Sequence, residues 1–252
     1  MKFALFFLSL VWTSEVFSQD AAIEKSIQEA LQEKNYKKAE TLFQEATAKG
    51  LKNANLLAMA GTIYSKLGDK EKAIQYLQNA VAFDPSQNTY KKNLVSLYLA
   101  TRQSKKSLDL ARALYESDSN SLDAIYLYAY SLFYNAKRKE ALTLIEKAKG
   151  INANDYRFHL LESRLYLWLG SLEKSEVALQ WAYALEKNNP EVLNNLALIE
   201  INLANQFGKQ GDLVKRDEYR KNAKEHLEKA NSVSEGNPII LRNLEIVNKF
   251  PI

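Results

Sequence analysis

A run of aromatic side chains, Tyr126, Tyr130, Phe133 and Tyr134, followed by Arg157, Arg164 and Trp168, is the part of the chain best equipped for chemistry, and that chemistry is recognition. Aromatic and arginine side chains are the types that carry most binding energy where proteins meet. Tyrosine hydroxyls and guanidinium forks add direction to apolar contact, so the set suits an extended or helical peptide. A second reading uses Tyr126, Tyr130 and Trp168 as platforms on which the rings of a glycan strand would stack.

Groups for bond-making chemistry are missing. The chain has no cysteine and eight glycines, none of them arranged as a phosphate-cradling loop or a dinucleotide fingerprint. No helical histidine pair with an intervening glutamate occurs, so neither a metal nor a cofactor is expected. Of the two histidines, His159 falls on a core-facing stripe, where a packed, hydrogen-bonded imidazole is expected, and His226 is expected to be exposed. Neither has a partner at a useful spacing, and an enzyme is not expected.

The elements that position the aromatic run follow from a repeat. Five blocks of 34 residues run without a gap from Asp20 to Asn189 and carry similar residue types in the same phase. In the second block Leu57, Ala60, Gly61 and Tyr64 recur at helical spacing and form one stripe, and Ala73, Leu77 and Ala80 form another. Gly68 can take the left-handed conformation that closes a helix, and Asp69 can accept from the free N–H groups that open the next. Small residues let the two helices approach closely, and Asp84-Pro85 blocks further helix. Each block is therefore a helical hairpin, with the turn falling on Gly68, Arg102, Ala136 and Gly170. The fifth block departs most, placing His159, Glu162 and Ser163 where apolar or small residues are usual.

This pattern resembles the tetratricopeptide repeat, and the resemblance covers nearly everything from Asp20 to Ile252. It implies an all-α fold, a right-handed α-solenoid of helix-turn-helix repeats at about 20–53, 54–87, 88–121, 122–155, 156–189 and 190–237. The second helix of the sixth repeat arrives fourteen residues late, so residues 205–218 are an insertion or belong to a pair of lengthened helices, and they offer either a second contact surface or only a longer hairpin. A last helix over 238–252, with Ile240, Leu241, Leu244 and Val247, suits a lid over the final repeat.

The resemblance also implies a concave face lined by the second, fifth, ninth, twelfth and thirteenth positions of each repeat. In the third repeat these include Lys92; in the fourth, Tyr126, Tyr130, Phe133 and Tyr134; in the fifth, Arg157, Leu160, Arg164, Leu167 and Trp168. Tyr126 and Tyr130 are expected to be exposed there, whereas Phe133, Tyr134, Leu167 and Trp168 have packing against the neighbouring repeat as an alternative role. Family members that clamp a chaperone's C-terminal carboxylate use lysines and asparagines on this face. Lys92 and Asn93 match in part, but Ser96 and Leu127 do not, and that clamp is not expected.

Met1-Lys2, an apolar run over Phe3–Trp12 and then Val16-Phe17-Ser18 have the layout of a secretory signal peptide cleaved after residue 18. The run is short of the roughly 20 apolar residues that span a bilayer, so no stable membrane span is expected after cleavage. With no cysteine there is no site for a bacterial lipid anchor. The net charge of +4 is too small to argue for nucleic acid, and the basic stretch around Lys215, Arg216 and Arg220 is interleaved with acids. The expectation is a non-enzymatic, exported, periplasmic scaffold that holds a protein or peptide partner, an accessory of envelope assembly or secretion. The alternatives are a glycan-binding module of the cell wall, a secreted protein, and a protein tethered by an uncleaved first segment.

Overall fold

The computed structural model describes residues 21–249, so the expected signal peptide over 1–18 lies outside the described residues. The chain divides into two compact units, one ending at Ser119 and the other beginning at Asn120. The first holds helices α1 (21–32), α2 (Tyr36–Ala48), α3 (Ala54–Leu67), α4 (Lys70–Phe83), α5 (Asn88–Ala100) and α6 (Ser104–Ser117). The second holds α7 (Leu122–Tyr134), α8 (Arg138–Ile151), α9 (Tyr156–Trp168), α10 (Leu172–Leu185), α11 (Pro190–Gln210), α12 (Leu213–Val233) and α13 (Pro238–Asn248). No strand occurs among the described residues. Each unit is a stack of helical hairpins, and the fold is an α-solenoid of helical repeats.

The repeat is written into the backbone at its turns. Lys34, Gly68, Arg102, Ala136 and Gly170, each 34 residues after the last, all have positive φ, between 58° and 90°. After four of them the next amide donates to a carbonyl five residues back, from Asn35 to Ala30, Gln103 to Tyr98, Lys137 to Leu132 and Ser171 to Tyr166, at 2.8–2.9 Å. This is the closure by which a helix satisfies its last carbonyls. Only two of the five positions are glycine, so the closure, not the residue type, is what repeats. A left-handed L-residue is strained by about 1–2 kcal/mol, and glycine returns part of that through a more flexible unfolded chain. We expect Ala136→Gly to stabilise the second unit by about 1 kcal/mol, seen as a raised urea midpoint.

The opening caps follow the same logic. Asn35, Asn53, Asp69, Ser121, Asp155, Asn189, Asp212 and Asn237 each accept from a backbone N–H in the first turn of the helix that follows. Between helices the small residues act as expected: a Cβ on Gly61 would lie 2.5 Å from Leu77 Cγ, so α3 and α4 pack in direct contact there. The core of the first unit runs from Ile27 and Phe43 through Leu56, Ile63 and Leu77 to Tyr98.

The late second helix of the sixth repeat has a simple cause. α11 and α12 are each 21 residues long against 14 for α4, seven more per helix. The turn reaches Gly211, whose φ is 83°, and closes as the others do, with Asp212 N donating to Phe207 O at 3.0 Å. Phe207 stacks on Tyr219 with centroids 5.5 Å apart, and the Tyr219 hydroxyl donates to Glu176. Residues 205–218 are thus two added helical turns on each side of a longer hairpin. The terminal helix α13 buries Ile240 and Val247, but Leu241, expected to join them, is 42 % exposed. Asn243 is buried instead, its amide donating to Asn194 at 2.8 Å.

Candidate functional site

The expected site residues divide between the units. Lys92 sits half-buried on α5 in the first; Tyr126, Tyr130, Phe133 and Tyr134 on α7 and Arg157, Arg164 and Trp168 on α9 belong to the second. α7 places Ile125, Ala129 and Leu132 in the core with no exposure, which turns Tyr126 and Tyr130 to the other side one turn apart.

These rings form a packed ladder. Tyr126 stacks on Tyr130 with centroids 5.7 Å apart, Tyr130 stacks on Phe133 at 6.2 Å, and Tyr134 meets Tyr130 edge-on at 5.1 Å. The arginines close over it from α9. Arg157 lies 5.1 Å above the Tyr126 ring and donates to Asp155 at 2.7 Å and to Asp123 at 3.0 Å. Arg164 lies 5.8 Å above the Tyr130 ring, donates to the Tyr130 hydroxyl at 2.8 Å and pairs with Glu191. Burial pushes both phenols above their usual range, so they remain neutral hydroxyls at physiological pH. The bonds to Asp155 and Asp123 outweigh burial and lock the Arg157 guanidinium in its charged form.

This arrangement corrects the expectation for Tyr126 and Tyr130, which are half-buried under arginines rather than exposed. The guanidinium forks are spent on internal partners and are not open to a ligand. The open part of the face is the end that had packing as its alternative: Tyr134 is 47 %, Leu167 42 % and Trp168 64 % exposed. Trp168 holds on α9 the position that Tyr134 holds on α7, 34 residues earlier. One face of its indole is covered by the Arg138 guanidinium, 3.9 Å from the ring centre, a cation–π contact that fixes the ring while leaving the rest in solvent.

Both histidines have hydrogen-bond partners, as expected of His159 but not of His226, which the sequence predicts to be exposed. His226 is half-buried, its Nδ1 hydrogen-bonded to Glu200 at 2.9 Å, and burial pushes the Glu200 carboxyl above its ordinary range. His159 is buried as expected and its Nε2 donates to the Ala153 carbonyl at 2.9 Å. Its Nδ1 faces Glu162 at 3.8 Å, and Glu162 takes two bonds from Lys149 at 3.0 and 3.1 Å. Burial pushes the Glu162 carboxyl up, but His159 and Lys149 together outweigh it and hold the group below its usual range. This cluster floors a cleft of about 630 Å³ between α8, α9 and α10, walled by Val177, Trp181 and Leu185. The sequence signal for it was the polar set His159, Glu162 and Ser163 at core positions; Lys149 and Trp181 lie in other helices and no spacing links them.

Among the described residues no group of three or more acidic, histidine or cysteine side chains is placed to hold a metal, and no helix is long and apolar enough to cross a membrane.

Residues 30–97 match the family model described as the tetratricopeptide repeat. No curated protein matches the chain by sequence. Among solved structures, the chain is similar to a thermophilic tetratricopeptide repeat protein of Thermus thermophilus, with a TM-score of 0.65 at 17 % identity over 78 % of this chain and 100 % of that one. It is also similar to a tetratricopeptide repeat protein from Parabacteroides merdae, with a TM-score of 0.63 at 16 % identity over 92 % of this chain and 99 % of that one. MamA from AMB-1 aligns with a TM-score of 0.54 at 15 % identity over 67 % of this chain and 92 % of that one. At such identities the likeness speaks for the fold. The chain is an α-solenoid of helical hairpins whose residues 30–97 match the tetratricopeptide repeat model.

Proposed function

We propose that the chain is a non-catalytic interaction scaffold that holds a segment of a partner protein across the C-terminal ends of α7 and α9. The observation that carries this reading is the cluster of large apolar side chains left in solvent there, Tyr134, Leu167 and Trp168, beside a ladder that arginines keep rigid. Aromatic anchors held in place before binding lose little entropy on contact, which favours affinity. Export to the periplasm and service to envelope assembly or secretion are part of the proposal, supported by the apolar leader pattern of residues 3–12. The glycan reading is weaker, because Tyr126 and Tyr130 stack on each other and lie beneath arginines instead of offering open faces.

A photo-crosslinking amino acid at position 168 tests the site in an envelope extract. A discrete protein adduct is expected there and not from position 83, where Phe83 is 56 % exposed in the first unit. Equal labelling from both positions, or none from 168, would remove the α7–α9 end from consideration.

A further inference from the structure

The fifth repeat inverts the pattern of the others around the cleft between α8, α9 and α10. Inside, His159 occupies the repeat position of Ile23, Leu57, Lys91, Ile125 and Leu193, and Glu162 that of Ser26, Ala60, Leu94, Tyr128 and Leu196. His159 and Glu162 are buried, whereas Ser26 and Lys91, the polar residues at these places in other repeats, are only half-buried. Outside, the α10 residues Val177 and Trp181 are 54 % and 60 % exposed. The positions equivalent to Val177 hold Thr41, Gln75, Asp109 and Thr143; those equivalent to Trp181 hold Glu45, Asn79, Ala113 and Lys147. Four second helices therefore pack without a large apolar residue at either place, so the stack does not require the pair. Polar groups inside and large apolar groups outside are the two departures that ordinary folding does not explain.

We propose that this cleft is a binding site for a neutral aromatic ring bearing one hydrogen-bond donor, a phenol or an indole. The walls supply the ring's contacts: Trp181 stacks on His159 at 6.1 Å on one side and stays open on the other, and Val177 and Leu185 lie on the same stripe of α10. About 630 Å³ lies within the range of small-ligand sites and accommodates a ring with its attached chain. The charges select against ions. Glu162 is neutralised by Lys149, and the remaining lining charges, Glu173 and Lys174, cancel. The floor has acceptor capacity to spare: Glu162 keeps lone pairs beyond the two bonds it takes from Lys149, and the His159 Nδ1 that faces it at 3.8 Å makes no hydrogen bond to it. A ring with an O–H or N–H matches that capacity, and a plain hydrocarbon does not.

The test uses the full chain labelled with 5-fluorotryptophan, with the Trp181 resonance assigned from Trp181→Phe. Titration with p-cresol is expected to shift that resonance saturably, with a dissociation constant on the order of 1 mM for so small a ligand, and toluene is expected to bind about tenfold more weakly, for want of the donor. Val177→Thr/Trp181→Lys gives α10 the residues of α8 at exposed positions. It is expected to keep the helical content and melting temperature and to lose p-cresol binding about tenfold or more by saturation-transfer NMR. A blocked Gly-Tyr-Gly peptide separates the sources: tighter binding than p-cresol assigns the ring to a polypeptide, and weaker binding to a free small molecule. No saturable shift up to the solubility of p-cresol, equal binding of toluene, or unchanged binding by the double variant would overturn the proposal. So would a response to N-acetylglucosamine alone.

Discussion

Lys149→Ala will cost the second unit about 2–3 kcal/mol, a large share of the stability of a domain this size. Glu162 has only 8 % of its side chain exposed, and both of its carboxylate oxygens accept from Lys149. Removing the lysine leaves a buried carboxylate with its remaining neighbour, His159, 3.8 Å away. Breaking a fully buried pair from one side costs about 3–5 kcal/mol; Lys149 keeps 23 % of its side chain exposed, which lets water recover part of that. Adding Glu162→Leu should restore most of the loss, because Leu94 and Leu196 fill the same repeat position in other hairpins. Urea unfolding followed by circular dichroism reads both variants. A single variant within about 0.5 kcal/mol of the parent would mean that the carboxylate is not dependent on its lysine, and failure of the double variant to recover would mean that the lysine acts through packing.

The hairpins, their caps and their closing turns were legible in the sequence because each depends on local chemistry repeated at one interval. Gly68 and Asp69 announce a closure and an opening, and Arg102 and Ala136 take the same backbone conformation because the fold demands it at that phase. Phase was more informative than residue type. The two longer helices were legible only as a delay, since seven residues on each side leave the register of the stripes intact. What the periodicity could not give was the partner of each polar group. Arg157 meets Asp123 and Arg164 meets Tyr130, each exactly one repeat away in number, so these pairs are visible once the solenoid is laid in phase. Lys149 and Glu162, thirteen residues apart, and His226 and Glu200, twenty-six apart, follow no such rule. The same limit explains the exposure of the aromatic face. Helical phase shows which side Tyr126 takes, but the arginines that cover it come from the next repeat.

Those arginines also separate two jobs on one surface. At the N-terminal half of the face, Asp123, Arg157 and Asp155 form a bonded set beside the Tyr126 ring, and Arg164 bridges the Tyr130 hydroxyl and Glu191. Charge-assisted bonds of this kind are stronger than neutral ones, and they hold α7, α9 and α11 in register within the second unit. A partner that engaged these forks would first have to break them. Contact at the other end needs no such exchange, because Tyr134, Leu167 and Trp168 have apolar surface in water already. Covering that surface releases water at about 25 cal/mol per Å² without disturbing the ladder.

Once a partner is in hand, Tyr134→Ala/Trp168→Ala should weaken its binding by about 3 kcal/mol, or more than a hundredfold, measured by titration calorimetry. Truncated aromatic anchors commonly cost 2 kcal/mol or more each, and such losses are not additive when the rings share a patch. Folding should be nearly unaffected, since Trp168 is 64 % and Tyr134 47 % exposed. Arg138 loses its ring partner in the variant, a contact of about 0.5–1 kcal/mol at an exposed site, and melting should shift by no more than that implies. The contrasting variant is Tyr130→Phe, which removes the hydroxyl that accepts from Arg164 and leaves the ring stack in place. It should lower stability by about 1–2 kcal/mol and change affinity little. The opposite assignment, with binding lost in Tyr130→Phe and kept in the double variant, would move the contact onto the arginine ladder and place the open aromatic end among ordinary surface residues.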